Sequence, residues 1–372
     1  MLKRTVALGC AALLFAATGG WAQNVGEGLQ PEPDQSTTRV GSRGANFLEI
    51  PVGARAQSLG ASGAALVNGV ESLAWNVASA ASLEEFSVGW SYSELFGEAD
   101  ITHQFAGVVL PITASSAIGL SLVSLSSGDM VRTTEVFPEG GDPVFGNEFN
   151  WSAFALTGSY SRAITDRLNV GAGVKFISEG IDEAKAEWIG LDLGALFRTG
   201  LLGTTLGASI QNLGGESKFE GRGIERNISA AADAFGTEED VPVRFNTTDL
   251  TLPTAFRFSL LTDVTGTPEA LVQEAPVGHN VRVLIDVYDS IDTALEPSLG
   301  IEYDFRGIVF GRVGKRWFNE ARTDDFREFT DGLAFGGGLR IPLLDRSLGF
   351  DYAYTDMGLL ENVQTISLSF GS

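Results

Sequence analysis

The chain has 372 residues, of which 44% are hydrophobic and 46 are glycine, and its formal net charge is −22. This length is long for one ordinary domain but normal for one large β-barrel. The acidity argues against a nucleic-acid partner, because phosphates would be repelled. It fits either a repulsive outer surface or cation and protein binding at the loops.

The N-terminus has the pattern of a secretory signal peptide, predicted to span residues 1–22. Residues 1–4 include Lys3 and Arg4, residues 5–17 form a short apolar core, and cleavage is expected after Ala22. The single cysteine, Cys10, lies within this segment. The mature chain would then lack a thiol, which excludes disulfides, a catalytic cysteine and Cys-based zinc sites. No other stretch approaches the roughly 18 apolar residues of a spanning helix.

Two segments without strand periodicity follow. Residues 23–46 are polar and contain several prolines and glycines, which predicts a flexible periplasmic tail. Residues 47–83 are rich in Ala, Gly and Ser and show no period of two. Small residues allow close backbone packing, so we interpret 47–83 as a small plug folded into a barrel mouth. A periplasmic strap or one extra strand is the alternative.

The region 84–372 contains fourteen short runs in which apolar residues alternate with small or polar ones. The expected strands are 85–92, 102–111, 116–125, 151–162, 167–178, 186–198, 202–212, 252–263, 279–288, 296–305, 308–318, 332–341, 346–355 and 361–370. Successive side chains of a strand point to opposite faces, so each run has a lipid face and a lumen face. Lipid offers the backbone no hydrogen bonds, so the sheet must close on itself. The predicted fold is therefore all-β: a transmembrane antiparallel β-barrel of about 14 strands.

Loop lengths predict how the barrel is oriented in the membrane. Short turns such as 163–166 and 306–307 follow even-numbered strands, whereas long loops near 126–150 and 213–251 follow odd-numbered ones. Such barrels keep short turns in the periplasm and long loops outside. We therefore expect a multi-pass protein of the bacterial outer membrane, in contact with outer-membrane lipid and with both termini in the periplasm. Segment 264–278 is longer than this rule prefers.

Nothing in the sequence predicts catalysis. The two histidines, His103 and His279, are expected at opposite rims, too far apart to cooperate. A Ser–His pair of His103 with Ser91 or Ser93 is the alternative. No Gly-x-Ser-x-Gly, phosphate-binding loop or calcium loop occurs. We predict a protein that is not an enzyme and has no catalytic, cofactor-binding or metal site and no cofactor.

Charged residues within the strands are the better candidates for function, because a charge in hydrocarbon is costly and must point into the lumen. They provide either a polar pathway with contacts to the plug, or a mutually neutralising structural network. The plug and lumen candidates are Arg55, Asn76, Arg257, Asp286, Glu302, Arg312, Arg340 and Asp351, and the same alternation places Lys175, Asp192, Asp304 and Arg316 in the lumen.

A family resemblance begins at residues 46–60, which read Asn-Phe-Leu-Glu-Ile-Pro-Val-Gly-Ala-Arg-Ala-Gln-Ser-Leu-Gly. This stretch resembles the opening phrase of the PorV/PorQ outer-membrane proteins, F-L-x-I-x-x-G-A-R-A-x-x-L-G. These proteins are relatives of the fatty-acid transporter FadL. The family phrase W-N-P-A-G reads Trp-Asn-Val-Ala-Ser at 75–79, so its proline and second glycine are missing. Weaker matches occur at 211–214, 252–254 and 350–354.

The resemblance implies a fourteen-stranded FadL-like barrel. PorV looks like the shuttle of the type IX secretion system, which recognises a C-terminal signal domain on secreted cargo and delivers the cargo to a surface attachment complex. By this resemblance we expect a non-enzymatic barrel in protein secretion or surface attachment, with a secretion translocon and cargo C-terminal domains as partners. The alternative is a FadL-like transporter of hydrophobic small molecules across the outer membrane. That function would require a hydrophobic ligand, an apolar pocket beside the plug and a lateral opening in the wall.

Overall fold

The computed structural model describes residues 41–66, 69–133, 135–141, 143, 146–229, 240–318, 329–343 and 345–371. The predicted signal peptide, 1–22, and residues 23–40 of the predicted tail lie outside the described residues. Within the described part of the chain, no helix is long and apolar enough to cross a membrane.

Among the described residues, fourteen antiparallel strands form one closed ring. We number the barrel strands β1 (Ser87–Leu95), β2 (Ile101–Thr113), β3 (Ser116–Ser126), β4 (Trp151–Ala163), β5 (Leu168–Ile181), β6 (Ala184–Arg198), β7 (Thr204–Gly214), β8 (Ala255–Thr265), β9 (His279–Ser290), β10 (Glu296–Phe305), β11 (Val309–Arg316), β12 (Leu333–Leu343), β13 (Arg346–Asp356) and β14 (Asn362–Gly371). Each strand pairs with its sequence neighbours, and β1 pairs with β14, which closes the ring. The predicted fold class is confirmed, with every strand end within three residues of its expected position.

The two faces of the wall differ in chemistry. Along β14, Val363 and Thr365 are buried inside the ring, whereas Ile366 and Leu368 point outward and remain about 40% exposed. The same alternation of buried and exposed residues recurs along β1, β4 and β6. Large apolar side chains left on an outer surface all around a closed sheet are suited to lipid.

The segment 47–83, described at 47–66 and 69–83, lies inside the ring in its described part and forms no strand there. It contains one helix of four residues, α1 (Ala54–Gln57), and 3₁₀ turns at Asn46–Glu49, Val70–Ala74 and Val77–Ser82. Backbone and side-chain hydrogen bonds join it to the wall, for example from Ala54 N to Ser367 Oγ on β14 at 2.9 Å. We call residues 47–83 the plug.

The long loops and the short turns lie at opposite ends of the barrel, which we call the loop end and the turn end. Residues 41–46, predicted as part of a flexible periplasmic tail, are instead fixed at the loop end. There Gly41 N donates to Asp292 Oδ2 at 3.3 Å and Gly44 N donates to Thr251 O at 3.0 Å. Ala45 and Phe47 are buried in an apolar cluster of the inner wall, which gives the physical reason for the difference.

Candidate functional site in the barrel lumen

An ionic cluster joins the plug to the wall. Arg55, on α1, donates from Nε and Nη2 to the two carboxylate oxygens of Glu302, both at 2.9 Å. Glu302 is fully buried on β10 and also accepts from Arg282 Nη1 at 2.8 Å and from Arg312 Nε at 2.7 Å. A bidentate Arg–carboxylate pair fixes orientation as well as charge. Burial lowers the pKa of Arg55, but Glu302 more than offsets this, so the pKa is raised and Arg55 stays charged.

The cluster continues along the wall to a second carboxylate. Asp351 on β13 accepts from Arg312 Nη1 at 2.6 Å and forms an ion pair with Arg340 at 2.7 Å. Arg282 in turn pairs with Asp263 at 3.2 Å. Each carboxylate of this chain of contacts therefore lies between guanidinium groups or at the end of the chain, so that positive and negative groups alternate from contact to contact. Such an arrangement neutralises buried charges that would otherwise be costly.

Arg257 and Asp286 form a separate pair that holds another part of the plug. Their side chains are 3.1 Å apart, and Arg257 Nη1 also donates to the plug carbonyl of Ala61 at 3.0 Å. The Arg257 guanidinium lies between two aromatic rings, 4.6 Å from the centre of Trp75 and 4.4 Å from that of Tyr288. Cation–π contacts of this kind stabilise a desolvated guanidinium.

Asn76 organises the middle of the plug. Its amide nitrogen donates to Ala64 O within the plug and to Ala195 O on β6, both at 2.9 Å, and its oxygen accepts from Ala78 N at 3.1 Å. It caps the 3₁₀ turn Val77–Ser82. One side chain thus connects two plug segments and the wall.

The structure brings the eight predicted lumen residues into three places rather than one. Arg55, Glu302, Arg312, Asp351 and Arg340 form the ionic cluster, Arg257 pairs with Asp286, and Asn76 stands apart. Sequence reasoning missed Arg282, although it has the same parity as Asp286 on β9 and the alternation could have identified it. The predicted lumen residues Lys175 and Asp192 also pair, at 3.0 Å.

The histidines do not form a catalytic arrangement. Ser93 and His103 face each other across β1 and β2. However, Ser93 Oγ bonds Thr365 Oγ1 at 2.8 Å and accepts from the plug's Gln57 at 3.3 Å. His279 lies at the turn end and bonds Tyr303. Among the described residues, no group of three His, Cys, Asp or Glu could hold a metal ion.

Two cavities lie inside the ring at its opposite ends. The loop-end cavity has a volume of about 390 Å³ and a mostly apolar lining that includes Ile50, Leu95, Phe96, Met357 and Val363. The turn-end cavity, about 370 Å³, is lined by plug and wall residues that include Arg55, Leu66, Leu261 and Arg282. Both volumes are typical of small-molecule sites, which span roughly 300–1,000 Å³.

The plug also contains a half-buried carboxylate outside the ionic cluster. Glu71 packs directly against the start of α1, where a Cβ on Gly53 would lie 2.3 Å from Glu71 Oε2. Burial raises the pKa of Glu71 to about 7; a hydrogen bond from Ser367 opposes this shift and Asp351 reinforces it. Arg340 and Arg312 lower the pKa by smaller amounts.

Glu71 therefore predicts a pH dependence of stability. The pKa of Glu71 in the folded state exceeds its ordinary value of 4.5. The stabilisation that this side chain contributes to the fold is therefore fully present below pH 4.5 and is lost as the pH rises through about 7. Over that window the stability falls by up to about 1.4 kcal/mol per pH unit. We expect Glu71→Gln to flatten this slope in thermal unfolding measured from pH 5 to 8. The control Glu84→Gln, at an exposed position, should keep the slope; equal slopes for Glu71→Gln and the unmodified protein would contradict the prediction.

Comparison with solved structures identifies the architecture. The TodX deltaS2S3 mutant monoaromatic hydrocarbon channel aligns with a TM-score of 0.52 at 13% identity, covering 86% of this chain and 98% of that chain. The CymD monoaromatic hydrocarbon channel aligns with a TM-score of 0.51 at 12% identity, covering 86% and 96%. The Pseudomonas putida toluene transporter TodX aligns with a TM-score of 0.50 at 12% identity, also covering 86% and 96%.

No protein-family model and no curated protein sequence matches the chain. The PorV/PorQ assignment therefore stays a prediction from the N-terminal phrase. The closed ring of fourteen antiparallel strands and the structural matches agree on the architecture. The chain has the fold of a FadL-type outer-membrane β-barrel.

Proposed function

We propose that this protein is an outer-membrane channel for the uptake of small hydrophobic molecules. The observation that carries the proposal is the loop-end cavity, which lies between the plug and the inner wall and is lined mainly by apolar side chains. Its volume of about 390 Å³ exceeds the roughly 150 Å³ of an apolar cavity that holds one benzene molecule. Binding there would be driven by removal of apolar surface from water.

The fold supports the same function. The structural matches are described as channels or transporters of monoaromatic hydrocarbons and toluene. At 12–13% identity these matches support the fold alone, so the ligand class rests on the cavity. With the loop end facing outward, as the loop lengths predict, the cavity would meet hydrophobic solutes first.

A cavity-filling substitution tests the proposal. Val363 is 7% exposed and lines the loop-end cavity from β14. Val363→Trp is expected to place an indole in the space that the ligand would use. Because the indole would occupy the space that the ligand needs, ligand binding should weaken about tenfold or more, which corresponds to about 1.4 kcal/mol or more of binding free energy. The measurement is uptake of radiolabelled toluene by cells that lack the native gene and express either form.

The matched control for this test is Ile366→Trp. Ile366 lies on the same strand but points outward and is 39% exposed. Lipid-facing tryptophan is tolerated in outer-membrane barrels, so uptake should be unchanged. Uptake that is equal for Val363→Trp and the unmodified protein, at equal amounts in the membrane, would show that the cavity is not used.

The secretion function remains a second candidate only through the N-terminal phrase. In the structure, the central residues of that phrase pack the plug against the barrel wall. Ala54 and Leu59 are fully buried, Arg55 binds Glu302, and Gln57 donates to Pro51 O at 2.8 Å. These contacts seat the plug in the barrel. A pulldown of the native protein that recovers translocon components or secreted cargo would restore the secretion function as the leading candidate.

A further inference from the structure

We propose that the outer wall of this barrel binds one anionic phospholipid at a defined site, with an acyl chain in a groove of the wall and the phosphate on Arg162. The site lies on the lipid-facing surface of β2 to β6, outside the lumen. It is separate from the loop-end cavity and goes beyond the proposed uptake function. The ligand would be a phospholipid such as phosphatidylglycerol.

A groove of about 710 Å³ crosses the outward face of β2 to β6. Its floor lies where two small residues point outward on neighbouring strands, Gly158 on β4 and Ala172 on β5. A Cβ on Gly158 would meet nothing within 4 Å. Large apolar side chains surround these two positions, so the small residues leave a hollow in the wall.

The strand register explains the shape of the groove. Leu120 of β3 and Val174 of β5 lie directly beside Gly158, one on each side. The next row is built in the same way, with Tyr160 and Leu193 on either side of the second small residue. Neighbouring strands are about 4.8 Å apart, so one acyl chain lying between the two borders would be close to van der Waals contact with both.

Arg162 supplies a positive charge at the turn end of the groove. It follows Tyr160 by two positions on β4, so it points outward on the same face, about 7 Å further toward the turn end. Its side chain is exposed, and in the part of the chain that the structure describes no hydrogen bond or ion pair engages its guanidinium. The arginines of the ionic cluster, in contrast, all bind carboxylates. A free guanidinium beside an apolar groove suits a phosphate, which it can bind through two parallel hydrogen bonds.

The position of Arg162 along the barrel matches the headgroup level of a bilayer leaflet. Aromatic side chains mark the membrane interfaces of such barrels. Tyr160 and Phe86 line the groove toward the turn end, and Arg162 lies beyond Tyr160. The loop lengths predict that the turn end faces the periplasm, and the periplasmic leaflet of an outer membrane consists of phospholipids. A phospholipid therefore fits the groove and the charge together.

Native mass spectrometry tests the site. The mature full-length protein would be released from nanodiscs that contain equal amounts of phosphatidylglycerol and phosphatidylcholine, and the lipids that stay bound would be identified. We expect the unmodified protein to retain one phosphatidylglycerol. Gly158→Leu fills the floor of the groove, and Arg162→Gln removes the charge. Each substitution should lower the fraction of protein that carries this lipid about fivefold or more.

Gly311→Leu and Arg306→Gln are the matched controls. Gly311 also points outward with nothing within 4 Å of an added Cβ, but it lies on β11. Arg306 is exposed at the same end of the barrel, in the turn between β10 and β11. Both controls should retain phosphatidylglycerol as the unmodified protein does. Equal retention by Gly158→Leu and Gly311→Leu would overturn the groove as the binding site, and equal retention by Arg162→Gln and Arg306→Gln would overturn the contact with the phosphate. Retention of phosphatidylcholine as often as phosphatidylglycerol, or of no lipid, by the unmodified protein would overturn the proposal as a whole.

Discussion

Replacing Gly314 with valine is expected to open the lumen. Gly314 faces inward on β11, and a Cβ there would lie 2.1 Å from Gly60 N and from Leu59 C of the plug. These are backbone atoms, so no side-chain rotation can relieve the contact. Gly60 itself has φ +72°, and a Cβ added there would lie 2.7 Å from the backbone N and O of Lys315. Two backbones meet here in a way that only glycine permits.

The consequence should be a displaced plug in an intact barrel, because the strand ladder of β11 does not require glycine. In planar lipid bilayers the Gly314→Val protein should show stepwise ion conductance, while the unmodified protein stays nearly silent. Cells that produce the variant should become sensitive to large antibiotics that the outer membrane normally excludes. Both effects should be large, since the close contact involves the centre of the plug.

Gly311→Val is the matched control. Gly311 lies on the same strand but points outward, and a Cβ there would meet nothing within 4 Å. The substitution is chemically identical, so general effects on β11 would appear in both variants. Conductance in Gly311→Val, or a silent Gly314→Val barrel, would show that backbone contact at Gly314 is not what closes the lumen.

The alternation of apolar with small or polar residues predicted the strands of the barrel wall, because a sheet that faces lipid on one side requires apolar side chains on that side. A strand such as β10, with Leu299, Ile301 and Tyr303 on one face, must present those residues outward in any closed barrel. The same parity placed Glu302 and Arg312 inside. Alternation could not predict that these two side chains form an ion pair. Which inward residues meet depends on the stagger between strands, and the sequence of a single strand does not encode that stagger.

The plug was less predictable for a different reason. Its elements are too short to show helical periodicity; α1 has four residues. Residues 41–46 are fixed by contacts to Thr251 and Asp292, which are more than 200 positions away in the chain. The composition of 41–46 therefore indicated a flexible tail, whereas tertiary contacts give it one position. The small residues of 47–83 indicated tight packing but not the partner of each residue.

Removing the charge of Glu302 should loosen the plug at Arg55 and weaken the whole barrel. Glu302→Gln keeps the shape of the side chain but leaves Arg55, Arg282 and Arg312 around a neutral amide. Arg312 keeps Asp351 and Arg282 keeps Asp263, whereas Arg55 loses the bidentate carboxylate that joins the plug to β10. Breaking a buried pair by removing one partner costs about 3–5 kcal/mol. We expect a lower midpoint in urea unfolding from lipid and faster proteolysis at Arg55.

Glu187→Gln separates this effect from the general loss of a carboxylate. Glu187 pairs with Lys185 at 2.6 Å on β6, but both side chains are about half exposed. Exposed pairs of this kind contribute roughly 0–1 kcal/mol, so its midpoint should barely move. Equal midpoints for Glu302→Gln and Glu187→Gln would mean that the buried guanidiniums have found other acceptors. In that case Glu302 would not be what anchors Arg55 and, through it, α1 to the wall.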